Sequence, residues 1–558
     1  MRWLDLLARC WPRAVTADSE LDHALDLLDA DTDARTLVRA SYGAALWLVV
    51  GGGLLSAAAG PLALGIGCLV AVCVVLGVPA LPELAATARR NAALATAPDL
   101  VSYAVLRASL EPNAEAAAAF AADVGTGPLA ASLDAHVRQA RGRAVSGFEA
   151  FAGEWDDWLP ALGRAFALVE TATAAPPEER ERVLERAQRT VRDGVRERTA
   201  AFASGLRGPA TAVYAFGVLL PLALVAGLPA ARATGLPLSL AAIAVGYCLV
   251  LPAGLLAASA WLLARRPAAF PRPRIDRSHP DVPTERWRPV LAGALAGTGG
   301  WLLAALLLPA WTRPVAAAGA GSGVALLVWA EPRVAVHERV RAVEAGVPDA
   351  LALVGRRVSD GTPVEAAMAD VGDELAGETG AVFADAVERQ RRLGVGVRAS
   401  LLDTTGALAT LPSQRARSVA IMLSVGADEG APAGGALAAM ATHLDDLQRL
   451  EGELRRELRR VTGTLANTAS VFGPLVAGAA VALAAGIGSR ASGTPLPTAG
   501  LGLVMGTYAL VLSAVLAALA TGLEAGIVPA RMGRRAGRAL LSATATYLAA
   551  FVGAGALT

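Results

Sequence analysis

Apolar residues collect in long uncharged runs, at 40–82, 208–231, 233–264, 289–312, 314–330, 461–489, 491–523 and 539–558, and the charged residues collect between them. About 20 apolar residues cross roughly 30 Å of hydrocarbon as a helix. The first run is long enough for two crossings separated near Gly60-Pro61, so the pattern predicts nine spans. The last run, 539–558, is the weakest of them, being short and rich in Ala, Thr and Gly. A mean hydropathy of +0.47 with 54% hydrophobic residues agrees with an all-α polytopic membrane protein.

Between the runs lie two polar blocks of similar size, 83–207 and 332–460. Each opens with a Pro-Asp followed by a helical pattern, at Pro98-Asp99 and Pro348-Asp349, a shift of 250 residues that also aligns Glu115 with Glu365. Their exits match at a slightly different shift, Ala215-Phe216-Gly217 against Val471-Phe472-Gly473. The chain is therefore read as a duplicated unit of cytoplasmic helices plus membrane spans. Leu444, Leu447, Leu450, Leu454, Leu458 and Val461 recur at three- and four-residue steps, giving a helix that runs into the membrane. In the first block the equivalent helix starts after Pro176-Pro177 and shows Leu184, Ala187, Val191 and Val195 on one face. No alternating strand pattern is evident. The predicted organisation is an acidic N-terminal segment at 1–39, spans at 40–82, a helical-bundle domain at 83–207, spans at 208–264 and a basic linker at 265–288. Spans at 289–331, a second helical-bundle domain at 332–460 and spans at 461–558 follow.

Charge orients this arrangement. If residues 1–39 begin inside, nine crossings place both blocks and the linker inside, and the external loops carry only Arg232, Arg313 and Arg490 of the 50 basic residues. The expectation is a multi-pass protein of the cytoplasmic membrane with a cytoplasmic N-terminus, Ser413 inside and Ser492 outside. No cleavable signal peptide is evident. Residues Ser19 to Asp33 read as a solvated, acidic amphipathic helix.

Composition also limits the chemistry. All 50 basic residues are Arg, and a P-loop or a Schiff base needs a Lys. His23, His136, His279, His337 and His443 lack metal-ligand spacing and are expected at the surface or as satisfied helical side chains. Cys10, Cys68, Cys73 and Cys248 form no CxxC pair and read as small core residues. None of the runs holds an ionisable residue in its interior, which disfavours a proton relay or an intramembrane aspartyl protease. Pro221, Pro252 and Pro474 predict kinked spans, and Gly293–Gly297 and Gly502–Gly506 predict close helix packing. No catalytic, cofactor-binding or metal site is predicted. Four arginines within ten residues, Arg389, Arg391, Arg392 and Arg398, exceed what solvation of a helix requires and are the candidate partner-binding cluster, the alternative being a solvated basic turn balanced by Glu388 and Asp385.

The two Pro-Asp sites, the GTPVEAAM stretch at 361–368, LGVGVRASL at 393–401, the Gly426-Ala-Asp-Glu-Gly430 turn and RGPATAVYAFGVLLPLALVAGL at 207–228 carry a resemblance. Together with the duplication they resemble the type II secretion system F-domain family, in particular the archaeal platform proteins of type IV pili and archaella. The first block departs from the pattern, with Leu110-Glu111-Pro112-Asn113 in place of the Gly-Thr-Pro turn and no counterpart of the second turn. The resemblance implies a non-enzymatic platform on which a hexameric cytoplasmic secretion ATPase docks, with pilin subunits and membrane lipids as further partners, a homodimer allowed and no nucleic acid. It adds Glu429 and Glu365 to the candidate docking residues. The alternative reading is a polytopic transporter or flippase with cytoplasmic regulatory domains.

Overall fold

The computed structural model describes residues 2–13, 15–16, 18–28, 30, 32–59, 61–142, 147–233, 239–266, 275, 279–283, 285, 287–490 and 497–556. Most of the 265–288 linker and the Ser492 loop lie outside them. Among the described residues every regular element is helical, and eight helices are long and apolar enough to cross a membrane. The chain is thus an all-α protein with the helices of a polytopic membrane protein.

Two short helices, α1 (Arg2–Arg9) and α2 (Ser19–Leu27), precede a long hairpin of α3 (Ala34–Ala59) and α4 (Pro61–Leu110). The acidic α2 is not wholly solvated, because Leu21 and Leu25 are buried with Ala34 and the helix packs on α4. At about 1.5 Å per residue, α4 is roughly 75 Å long, more than twice a bilayer core. Its polar half packs with α5 (Ala114–Val124), α6 (Pro128–Ala140), α7 (Phe148–Trp155), α8 (Pro160–Ala174) and α9 (Pro177–Gly205). The chain then returns through α10 (Arg207–Tyr214), a π turn at Ala215–Leu219 and α11 (Leu220–Ala233). Next come α12 (Leu240–Val245), a second π turn at Gly246–Val250 and α13 (Leu251–Arg265).

The second half repeats the order. A hairpin of α14 (Trp287–Leu307) and α15 (Thr312–Ser359) leads into α16 (Val364–Glu374), α17 (Glu378–Leu393), α18 (Val397–Leu402), α19 (Gln414–Glu429) and α20 (Pro432–Asn467). A third π turn at Thr468–Phe472 joins α20 to α21 (Gly473–Arg490), followed by α22 (Thr498–Ala525) and α23 (Pro529–Gly555). The 250-residue shift appears in the backbone itself: α5 and α16 both have 11 residues and start at Ala114 and Val364. Gly127 and Gly377, again 250 apart, cap α6 and α17 with the same φ of +88°. Only glycine adopts that conformation cheaply. The divergent turn of the first block does the same work as Gly361-Thr362-Pro363, since the Asn113 side chain accepts from the Ala116 amide at 3.1 Å and starts α5. Pro98 and Pro348 do not begin helices; both lie inside α4 and α15, which run unbroken from apolar run to polar block.

Each π turn stands two residues before a proline: Pro221, Pro252 and Pro474. A proline inside a helix removes the hydrogen bond to residue i−4 and its ring presses on that carbonyl, and a local widening relieves the clash. Two of the released carbonyls find donors on other helices. Gly217 accepts from the Tyr508 hydroxyl, and Ser470 accepts from the Ser542 hydroxyl at 2.9 Å. The small-residue spacings are close crossings as predicted: a Cβ on Gly293 would lie 2.8 Å from Ala325 Cβ, and one on Gly502 only 2.5 Å from the Trp311 ring.

Candidate functional site

The predicted arginine cluster forms one corner, where α17 ends and α18 begins. Gly394 closes α17 in the left-handed conformation, φ +63°. Gln390 Nε2 donates to Ser400 Oγ at 3.0 Å across the turn, and Arg389 donates to the Thr405 carbonyl and to Asp385 at 3.0 Å. Arg389 therefore builds the corner. Arg392 pairs with Glu388, whereas Arg391 and Arg398 are exposed without an ion pair among the described residues. Leu393, 65% exposed, stands between them. Glu365 is exposed in the first turn of α16, and among the described residues no hydrogen bond or ion pair joins it to the corner. Glu429 is elsewhere: it ends α19 and lies 3.8 Å from Arg107 of the first block. The stretch Gly426 to Glu429 is helical, and the turn begins only at Gly430, φ +71°. Buried Gly426 packs close to Leu437, so its small size serves helix contact.

Sequence reasoning missed a larger polar feature, the seam between the two blocks. Their cores are one continuous apolar cluster reaching from Ala93 to Leu444. Along it Tyr103 of α4 donates to Ser418 of α19, Arg192 of α9 pairs with Asp446 of α20, and Arg196 lies 3.5 Å from Glu453. Behind the seam, within the second block, Ser413 donates to Glu344 at 2.7 Å, and Arg415, almost fully buried, stands 3.9 Å from Glu451. Asp99, the acidic member of the first Pro-Asp pair, lies within this group. Burial raises its carboxyl to about 6, with Glu344 adding to the rise and Arg415 opposing it. Its repeat partner Asp349 is exposed.

His443 is the least satisfied member. It is 2% exposed, and neither ring nitrogen has a hydrogen-bond partner. Burial, reinforced by Arg192, lowers it to about 3, so it is neutral at physiological pH. His337 is also buried with an unpartnered Nδ1 and is held at about 4 by burial and by Arg531 and Arg341. Both contradict the expectation of surface or satisfied histidines. The faces that carry them meet helices remote in the sequence, which local spacing does not reveal.

No family model, curated protein or solved structure matches the chain.

Beneath the membrane helices a second set of polar contacts ties rods together within each half, and one of them, from Arg266 to α22, joins the halves. Glu524 at the end of α22 accepts from Thr462 at 2.5 Å and from Arg535 at 2.8 Å, and Arg266 donates to the Leu523 carbonyl at 2.7 Å. Asn91 on α4 donates to the Ala264 carbonyl of α13 at 2.9 Å. Higher up, α15, α22 and α23 line a groove of about 550 Å³ that includes Ser322 and Thr507 but no ionisable side chain. What the arrangement provides is mechanical: continuous helices crossing from two joined helical blocks into the apolar runs, with polar clasps where helices meet.

Proposed function

We propose that the chain is the non-enzymatic inner-membrane platform of a type IV pilus-like, type II secretion-related assembly machine, with duplicated F-type cytoplasmic domains at 83–207 and 332–460. In this reading it crosses the membrane nine times with its N-terminus in the cytoplasm. The ninth crossing is α23, which packs against α15, α21 and α22. A separate hexameric ATPase docks on the helical blocks and pilin subunits are handled by the spans.

The observation that carries the reading is the repeat. Two helical blocks with the same helix order, offset by 250 residues, are each entered through one continuous rod, α4 or α15. A displacement applied to a block is delivered to the bilayer along such a continuous helix, although α4 carries Pro79, Pro82 and Pro98 and α15 carries Pro332 and Pro348 on the way. The shared apolar core supports concerted motion of both blocks. The test is purification of the tagged chain from its native membrane after mild cross-linking. A hexameric secretion-type ATPase and pilin subunits should be recovered with it. Recovery of neither, together with normal filaments in cells lacking the chain, would sink the platform role.

A further inference from the structure

Where α15 and α20 meet the start of α23, cationic groups outnumber their partners. Arg341 of α15 and Arg531 of α23 are half-buried and make no ion pair or hydrogen bond among the described residues. Burial lowers both guanidinium groups, and Arg455 of α20 repels each of them. The nearby carboxylates are largely committed: Glu338 pairs with Arg534 at 3.0 Å, Glu451 pairs with Arg455, and Glu344 accepts from Ser413. Glu451 and Glu344 still attract Arg341, without offsetting the repulsion. Facing Arg341 and Arg531 is the imidazole of His337, 5% exposed, with its Nδ1 free. Arg531 also occupies the first turn of α23, whose N-cap Val528 supplies no side-chain acceptor and whose first turn has no acid. A cation there adds to the positive end of the helix dipole.

Glu338 and Glu451 attract Arg531 from a distance, but Arg341, Arg531 and the His337 Nδ1 have no bonded acceptor among the described residues, while Arg455 beside them keeps its pair with Glu451. We propose that His337, Arg341, Arg455 and Arg531 form a binding site for a phosphate group, supplied by the headgroup of an anionic phospholipid. Guanidinium forks and a helix N-terminus are the groups that bind phosphate oxygens. The depth fits a headgroup. His337 lies seven residues past the apolar run ending at 330 and Arg531 eight before the run starting at 539, about 10–12 Å along either helix. The site does not depend on the platform role.

The full chain in detergent is titrated with phosphatidylglycerol, phosphatidylcholine or inorganic phosphate, following Tm and bound lipid by native mass spectrometry. Phosphatidylglycerol should raise Tm and bind, and Arg341→Gln with Arg531→Gln should weaken that binding about tenfold or more, while Arg456→Gln with Arg459→Gln, exposed on α20, should not. Without lipid the Arg341→Gln and Arg531→Gln chain should melt higher than the parent, because repulsion is relieved. A lower lipid-free Tm would mark the arginines as structural and overturn the site. Equal binding of both lipids, or unchanged binding by the double variant, would also overturn it. A Tm rise of the same size with inorganic phosphate alone would transfer the site to a soluble phosphate compound and overturn the headgroup assignment.

Discussion

The Tyr508 hydroxyl donates to the Gly217 carbonyl, the one whose partner within the helix is lost because Pro221 has no N–H. The same relationship joins Ser542 to Ser470, four residues before Pro474. Proline, π turn and foreign hydroxyl thus form one unit that replaces a missing bond inside an apolar environment, where an unsatisfied carbonyl is costly. Tyr508→Phe and Ser542→Ala should each destabilise the detergent-solubilised chain by about 1–2 kcal/mol. With Pro474→Ala, Ser470 regains an amide partner, so the cost of Ser542→Ala should shrink by more than half. Additive costs in that double-mutant cycle would refute the unit.

Acid should weaken the folded chain. His443 and His337 fall from 6.5 to about 3 and about 4, so the unfolded state binds protons first as pH drops below 6.5, and stability present above that value is lost towards pH 4. Asp99 has the opposite sign, its carboxyl being raised from 3.8 to about 6. The folded state holds that proton more tightly, so its contribution is full below pH 3.8 and declines as pH rises to about 6. His443→Leu should flatten the loss of Tm between pH 6.5 and 4, and Asp99→Asn should steepen it, each by an amount on the order of 1–3 kcal/mol. A His443→Leu chain with the parent's acid profile would show that the buried imidazole does not govern it.

The helical class, the repeat and a break in regular helix at Pro221, Pro252 and Pro474 were legible because each rests on local chemistry: apolar run length, turn residues and a missing N–H. The seam was not. Arg192 and Asp446 are 254 residues apart, and nothing near either one names the other. His443 sits among Leu444, Leu447 and Leu450, and its neighbours look like one helix face until α9 is laid against it. Of the candidate site, the arginine run marks a real corner, but the sequence could not separate Arg389, which builds it, from Arg391, which is free on its surface. The Gly426 to Gly430 stretch misled for a related reason. Its glycines suggest a turn, yet Gly426 is there to admit Leu437.

Topology can be tested at two sites. In a chain lacking its native cysteines, Ser492→Cys should react with an impermeant thiol reagent in intact cells, and Glu388→Cys only after lysis. Ser413, although on the same predicted side, is 1% exposed and would not label in either case. Reaction of Glu388→Cys in intact cells would invert the predicted orientation and remove the cytoplasmic docking surface.

The docking prediction rests on what is left free at the α17–α18 corner. Arg389 is committed to Asp385 and the Thr405 carbonyl, so its loss should lower stability and says nothing of a partner. Arg391 and Arg398 are exposed, Arg392 is 76% exposed in its side chain with only a surface pair to Glu388, and Leu393 gives an apolar contact beside them. A surface pair contributes at most about 1 kcal/mol, so reversing Arg391 and Arg392 to Glu leaves folding nearly untouched. If the ATPase presents carboxylates here, reversal turns attraction into repulsion and leaves desolvated charges unpaired, a penalty of about 2–5 kcal/mol. Arg391→Glu with Arg392→Glu should therefore keep normal membrane insertion and Tm while ATPase co-purification and surface filaments are lost. Arg107→Ala, which frees Glu429, serves as the comparison at the seam and should spare docking if the corner is the contact. Filaments at the parent level in the charge-reversed chain would exclude the corner as the docking site.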